Sequence, residues 1–161
     1  MRYYQNRSFS AVSLTVVEEN GDIVYIGFGD DAGRATKRET PVIAEAFSQL
    51  SAYFDGRLKT FSLPLKLSGT PFQLKTWEAL KTIPYGETRS YRDIARQIGN
   101  AQACRAVGMA NHRNPVSIVI PCHRVIGANG SLTGYGGGLP IKEWLLALES
   151  HYVHERHDSS R

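Results

Sequence analysis

Cysteine is almost missing from this chain: Cys104 and Cys122 are the only two in 161 residues. No CxxC or HxxxH pair occurs, so a structural zinc centre is not expected. Three of the five histidines, His151, His154 and His157, fall in a polar stretch at 151–161 that reads as a tail rather than a ligand set. Two lone thiols also exclude a disulfide-stapled secreted fold. Long apolar runs are missing as well. None approaches the roughly 18 residues of a membrane span, and none opens the chain as a signal segment would. The expectation is a soluble protein of the cytoplasm, in a reducing compartment. Internal repeats and low-complexity tracts are absent. An acidic excess is absent too: Lys and Arg outnumber Asp and Glu 19 to 15, for a net charge of +4. Residues 1–69 carry eight basic and eight acidic side chains, whereas 70–150 carry nine and five. The positive balance therefore lies in the segment that holds Cys122, and it suits a polyanionic partner.

What is present centres on Ile118-Val119-Ile120-Pro121-Cys122-His123-Arg124-Val125-Ile126. The apolar run predicts a buried strand that ends at Pro121, because the residue before a proline is pushed to an extended conformation. Cys122 then falls on a turn. A thiol reacts as its thiolate, and His123 and Arg124 bring a proton acceptor and a positive charge within two residues. Neighbouring side chains on an extended segment face opposite ways, so His123 reaches the thiol only through a backbone turn or a bridging water.

The rest reads as an α+β chain. A small N-terminal α/β domain with a short β-sheet spans 1–69, a mostly helical C-terminal domain spans 70–150, and the polar tail follows. Residues 8–17 and 23–29 are rich in β-formers and flank Glu19-Asn20-Gly21-Asp22, which predicts a hairpin. Residues 30–37 read as a loop. Thr40-Pro41 opens a helix whose apolar stripe ends near Asp55-Gly56. Phe61 to Leu65 alternates, but Pro64 restricts it to an edge or a linker. Thr70-Pro71 opens a second helix, with Leu74, Trp77 and Leu80 on one side. Ser90 caps a third, ended by Gly99, and a fourth carries Ala103, Ala106, Val107 and Ala110 on its packing face. Its other face presents Gln102, Arg105 and Met109 beside Gly108. Two short helices joined by a tight Gly-containing turn, basic outside, resemble a helix-turn-helix. Small residues around one arginine suit a shallow approach to a minor groove. Residues 127–130 predict a hairpin turn, and the Gly-rich 134–138 loop lacks the Lys-Ser/Thr of a phosphate loop. Pro140 opens a last helix, with Ile141, Trp144, Leu145 and Leu148 on its buried stripe, ending at Glu149. An acid there opposes the helix dipole, the position expected if it serves a partner such as a histidine.

Pro121-Cys122-His123-Arg124-Val125-Ile126, with Ser90-Tyr91, Arg105-Ala106-Val107-Gly108, Asn114-Pro115, Tyr135 to Gly138 and Lys142-Glu143-Trp144-Leu145-Leu146, resembles the O6-alkylguanine-DNA alkyltransferases. The match is dense over about 70–150; residues 1–69 are similar to the family's ribonuclease H-like N-terminal domain in pattern only. The resemblance implies direct repair of duplex DNA by irreversible transfer of an alkyl group from O6-alkylguanine to Cys122 after base flipping. It makes Cys122 the nucleophile, His123 the base acting through a water, and Glu149 the group that orients the imidazole. Tyr91 would assist extrusion and hydrogen-bond the leaving guanine, and Arg105 would fill the gap left by the base. Asn114 would brace the turn before the cysteine. Tyr135, Gly136 and Val125 would line the pocket with Cys122, while Arg92, Asn100, Gln102, Ala106 and Gly108 would contact DNA. A monomer without cofactor is implied; O4-alkylthymine as a substrate and cooperative binding along DNA stay open. Some relatives bind zinc through N-terminal cysteines, but residues 1–69 contain none, so no metal is expected. Gly136 stands where some relatives have a serine, and no adaptive-response regulatory domain is expected. Composition alone also admits a cysteine hydrolase built on Cys122, His123 and Glu149, a non-catalytic lesion binder, or a sequence-reading regulator; the motif set favours the transferase.

Overall fold

The computed structural model describes residues 1–155, so His157 and the end of the tail lie outside the described residues. The N-terminal domain is a four-stranded sheet in the order β3-β2-β1-β4, with β1 Arg2–Ser8, β2 Ser13–Glu19, β3 Asp22–Phe28 and β4 Thr36–Lys37. β1, β2 and β3 are antiparallel neighbours, and β4 lies parallel to β1. The β2–β3 connection is the expected hairpin, closed by two residues only: Asn20 and Gly21 have φ of 52° and 87°, the left-handed pair that matches strand twist. The expected strand at 8–17 is corrected. The chain turns at Phe9–Val12, where Phe9 N donates to Val12 O at 2.7 Å, so residues 2–8 form a separate strand. Its sequence, RYYQNRS, is polar on both faces and gives no apolar alternation to read.

α1, Pro41–Phe54, starts and stops where the proline and Asp55-Gly56 predict and packs Ile43, Phe47 and Leu50 against β2. The C-terminal domain is helical: α2 Pro71–Leu80, α3 Tyr91–Gln97, α4 Cys104–His112 and α5 Leu139–Tyr152. Thr70 and Ser90 both close full capping boxes, with Gln73 and Asp93 as the reciprocal partners. α3 and α4 pack as a pair around the turn at Gly99 (φ 84°), and Trp77 of α2 fixes them by donating from Nε1 to Ala110 O at 2.8 Å. On α4 the packing face is Val107, Ala110 and Asn111; Ala106 is exposed beside Arg105 and does not belong to it. α5 runs one turn past Glu149, and its fully buried line is Lys142, Leu145 and Glu149. Ile141, Trp144 and Leu148 are only partly covered. The turn at 127–130 forms, with Gly130 N donating to Gly127 O, but it joins no hairpin. The flanking β6, Val125–Ile126, instead pairs in parallel with β5, Arg89–Ser90. Among the described residues, no helix is long and apolar enough to cross a membrane.

β3 would be a free edge, but two segments cover it. Ile23 exchanges backbone bonds with Pro64 and Lys66, and Ile26 does so with Pro115 and Ser117 at 2.9 Å each. The Pro64 segment is thus an edge element, and residues 115–117, just before the reactive turn, continue the N-terminal sheet.

Candidate active site

Ile118 and Ile120 are buried as expected and Val119 only partly, but residues 118–120 do not form a strand; the segment is a pair of tight turns. Asn114 folds it. Its Oδ1 accepts from Val116 N at 2.9 Å and its Nδ2 donates to Ile120 O at 2.7 Å, while Ile120 N donates to Val116 O at 3.0 Å. Ile118 sits at φ 74°, a left-handed conformation rare for a β-branched residue and worth about 1–3 kcal/mol of strain. The clamp and the β3 pairing hold it there. Cys122–Arg124 then make one 3-10 turn, which is the backbone turn that brings Cys122 and His123 to one region.

Cys122 is 4% exposed and lies at the wall of a cavity of about 360 Å³. That cavity also receives Asn114, Tyr135 and Gly136, and from β3 Tyr25, Gly27 and Phe28. Phe28 meets Tyr135 edge-on at 5.6 Å, and a Cβ on Gly137 would come within 2.7 Å of its ring, so β3 supports the glycine-rich loop from behind. Val125 is buried behind the turn and does not line the cavity; Tyr91 binds Thr133 Oγ1 at 2.7 Å, beside rather than within it. A larger cleft of about 450 Å³ lies against Pro121 and Arg124 but includes neither Cys122 nor His123.

Behind the thiol is a buried polar cluster. Glu149 Oε2 accepts from His123 Nε2 at 2.7 Å, from Arg124 Nη2 at 2.9 Å and from Tyr53 Oη at 2.5 Å. Its Oε1 accepts from Arg124 Nε at 2.8 Å and Gly86 N at 3.2 Å. Burial alone would push the Glu149 carboxyl up, but the hydrogen bond from His123 and the bonds and charge of Arg124 outweigh it and hold the group ionised, far below its ordinary value. An ionised Glu149 accepts from His123 Nε2–H, which leaves Nδ1 as the unprotonated nitrogen. Nδ1 is buried and has no hydrogen-bond partner among the described residues. Burial also pushes the imidazole below 6.5, and Arg124 and Lys142 add to this against the upward pull of Glu149, so the ring is neutral at pH 7. This is the state a general base requires.

Arg124 was expected beside the thiol. It turns the other way, onto Glu149 and Ile83 O, because a buried guanidinium needs a carboxylate. The charge that does bear on the thiol comes from Lys142, which sequence reading missed. Its Nζ donates to Val125 O at 2.6 Å and Thr133 O at 2.9 Å. Burial pushes the Cys122 thiol up to about 11, against the opposing pull of Asn114, Lys142 and the local backbone N–H groups. The signal for Lys142 was available: it shares the helix line of Leu145 and Glu149, where a surface lysine has no place. Tyr53 had no such signal, being 96 residues from its partner.

On the outer face, Arg92, Asn100, Gln102, Arg105, Ala106 and Met109 are exposed, and a Cβ on Gly108 would stand 3.8 Å from the Tyr91 ring. A cysteine turn hung from a sheet edge, next to an exposed helix-turn-helix, is the build of a DNA-directed transferase with a protein thiol as acceptor. Comparison with known proteins gives the family. Residues 71–151 match the 6-O-methylguanine DNA methyltransferase DNA-binding domain, and residues 6–67 match the ribonuclease-like domain of the same proteins. A constitutive methylated-DNA–protein-cysteine methyltransferase of Bacillus subtilis is 47% identical over 158 residues, covering 92% of this chain and 96% of its own. Another from Mycobacterium leprae is 61% identical over 115 residues, covering 71% and 70%. The crystal structure of a Mycobacterium tuberculosis homologue in complex with DNA superposes with a TM-score of 0.87 at 46% identity, covering 93% of this chain and 94% of that one. The chain belongs to the methylated-DNA–protein-cysteine methyltransferases, DNA-repair proteins that act on DNA.

Proposed function

We propose that the protein repairs O6-alkylguanine in duplex DNA by a single irreversible transfer to Cys122. The observation that carries this reading is the buried His123, bound through Nε2 to Glu149 with Nδ1 unpartnered among the described residues, immediately after a thiol on a cavity wall. The thiol proton passes to His123 Nδ1 through a water, and the Sγ–C bond forms in line as the C–O6 bond breaks. The bonding pair leaves with the guanine, which Tyr91 meets with a hydrogen bond as charge develops. The cavity takes a base extruded from the stack, because a side chain cannot reach O6 within it. Arg105, exposed on α4 among small residues, fills the gap, and Arg92, Asn100, Gln102, Ala106 and Gly108 approach the backbone. A thioether is a poor leaving group, so the alkyl group stays and the protein acts once, as a monomer.

The test is intact and peptide mass after mixing with a stoichiometric duplex carrying one O6-methylguanine. A gain of one methylene on the Cys122 peptide, stopping at one per protein, is expected. Unchanged mass with the duplex bound would reduce the protein to a lesion binder. Arg105→Ala is expected to slow reaction with the duplex more than with free O6-benzylguanine; equal losses would remove its role as a wedge.

A further inference from the structure

Glu149 is held from three sides, and one side belongs to the other domain. Tyr53 lies on α1, fully buried, and its hydroxyl donates to the same oxygen, Oε2, that receives His123 Nε2. We propose that Tyr53 is a positioning residue for the transfer, its hydroxyl dispersing the charge of Glu149 and thereby setting the basicity of His123. The proposal rests on the reading of Cys122 and His123 given above.

Packing does not account for the hydroxyl. The Tyr53 ring touches Phe54, Phe61 and Tyr85 at centroid distances of 5.5, 5.4 and 6.1 Å, contacts that a phenylalanine would make equally well. A hydroxyl is buried at a cost unless it is bonded, and this one is aimed at the carboxylate behind the base. Burial and the charge of Glu149 keep it protonated far above its ordinary range, so it is always the donor. A hydrogen bond to an ionised acceptor is about twice as strong as a neutral one. Three donors share Oε2, and each withdraws charge from the bond that Oε2 makes with the imidazole.

The groups around His123 fix the sign. Glu149 favours the imidazolium; Arg124 from its own turn and Lys142 from α5 oppose it. The neutral groups facing the cluster are Tyr53 from α1, Tyr85 and Gly86 N from the segment after α2, and the Cys122 thiol. Removing the Tyr53 hydroxyl leaves more negative charge on the oxygen bonded to His123, so the imidazole binds its proton more tightly. At a given pH below the midpoint, less of the protein then carries a free base.

The experiment is Tyr53→Phe in the full chain. Rates of transfer from O6-benzylguanine to Cys122 are measured between pH 5 and 9, alongside an NMR titration of the His123 ring in unreacted protein. The acidic limb and the ring titration are expected to move together to higher pH by about 0.5–1 unit, with the alkaline plateau within about two-fold of wild type. Glu149→Gln, which removes the charge that Tyr53 acts on, should abolish the difference between Tyr and Phe at position 53. Superimposable profiles and titrations, or an equal loss of rate at every pH, would overturn the proposal. If the wild-type protein transfers nothing, the function above falls; the ring titration still decides whether Tyr53 acts on His123.

Discussion

Lys142→Met isolates what the buried lysine does. Methionine keeps the length and apolar stem and removes two bonds, to Val125 O at 2.6 Å and Thr133 O at 2.9 Å. Val125 is fully buried, so its carbonyl loses its donor without access to water, at about 1–3 kcal/mol. Thr133 is exposed, and water replaces that bond at little cost. Against this loss stands the release of an ammonium whose charge burial already disfavours. The balance is a loss of about 1–2 kcal/mol, or about 2–8 °C in Tm for a chain of this size. The effect on activity should be larger, because the lysine joins the strand after Cys122 to the segment leading into Tyr135, and its charge pulls the thiol pKa down. Thermal melting and the rate of transfer from O6-benzylguanine are measured on the same preparation. A rate that falls no more than the folded fraction at the assay temperature would refute the coupling, and unchanged Tm would refute the hydrogen-bond account.

Asn114→Ala removes both halves of the clamp that holds Ile118 left-handed and should cost about 2–3 kcal/mol in urea unfolding; a loss under 0.5 would mean that the β3 pairing alone holds the turn. Phe28→Ala takes the support from behind the Tyr135 loop and should raise the ratio of benzyl to methyl transfer several-fold, with a stability loss of about 1–2 kcal/mol because Phe28 is only partly buried; an unchanged ratio would place Phe28 outside pocket shaping. Stability should fall on acidification in two stages. His123 is held below 6.5 in the fold, so the unfolded chain takes that proton first, and the stability it gives is present above about 6.5 and lost as pH falls through the folded value. Glu149, held below 4.5, follows with the same sign at lower pH. A urea midpoint that stays flat from pH 7.5 to 5 would contradict the first stage.

Much of the fold was legible because local chemistry decided it. Asn20-Gly21 specified its hairpin turn, Thr70 and Ser90 with their partners three residues on specified two helix starts, and Pro41 a third. The segment leading into the cysteine turn was misread for an equally physical reason. Ile118-Val119-Ile120 has strand composition, but the side chain of Asn114 competes for the backbone and wins, and nothing in an isoleucine announces φ of 74°. The pairing of His123 with Glu149 could be anticipated from an acid placed awkwardly near a helix end. The turning of Arg124 away from the thiol could not, because it depends on which buried group offers the carboxylate. Nothing in the sequence of residues 1–69 announced a part in the site, since Tyr53, Gly27 and Phe28 have no polar pattern and reach it only through tertiary packing.

The shared edge of β3 bears on how this chain folds. Two homology segments lie side by side in the sequence, yet Ile26 is hydrogen-bonded to Pro115 and Ser117, Tyr53 is bonded to Glu149, and one apolar cluster runs from Leu14 through Trp77 to Leu145. The modules are therefore not thermodynamic units. Unfolding should be a single cooperative transition, and residues 70–155 expressed alone would leave Pro115 and Ser117 without their backbone partner on β3 and the Glu149 cluster short of a donor. A boundary between two recognisable sequence segments and a boundary between two folding units are separate properties, and this chain has the first without the second.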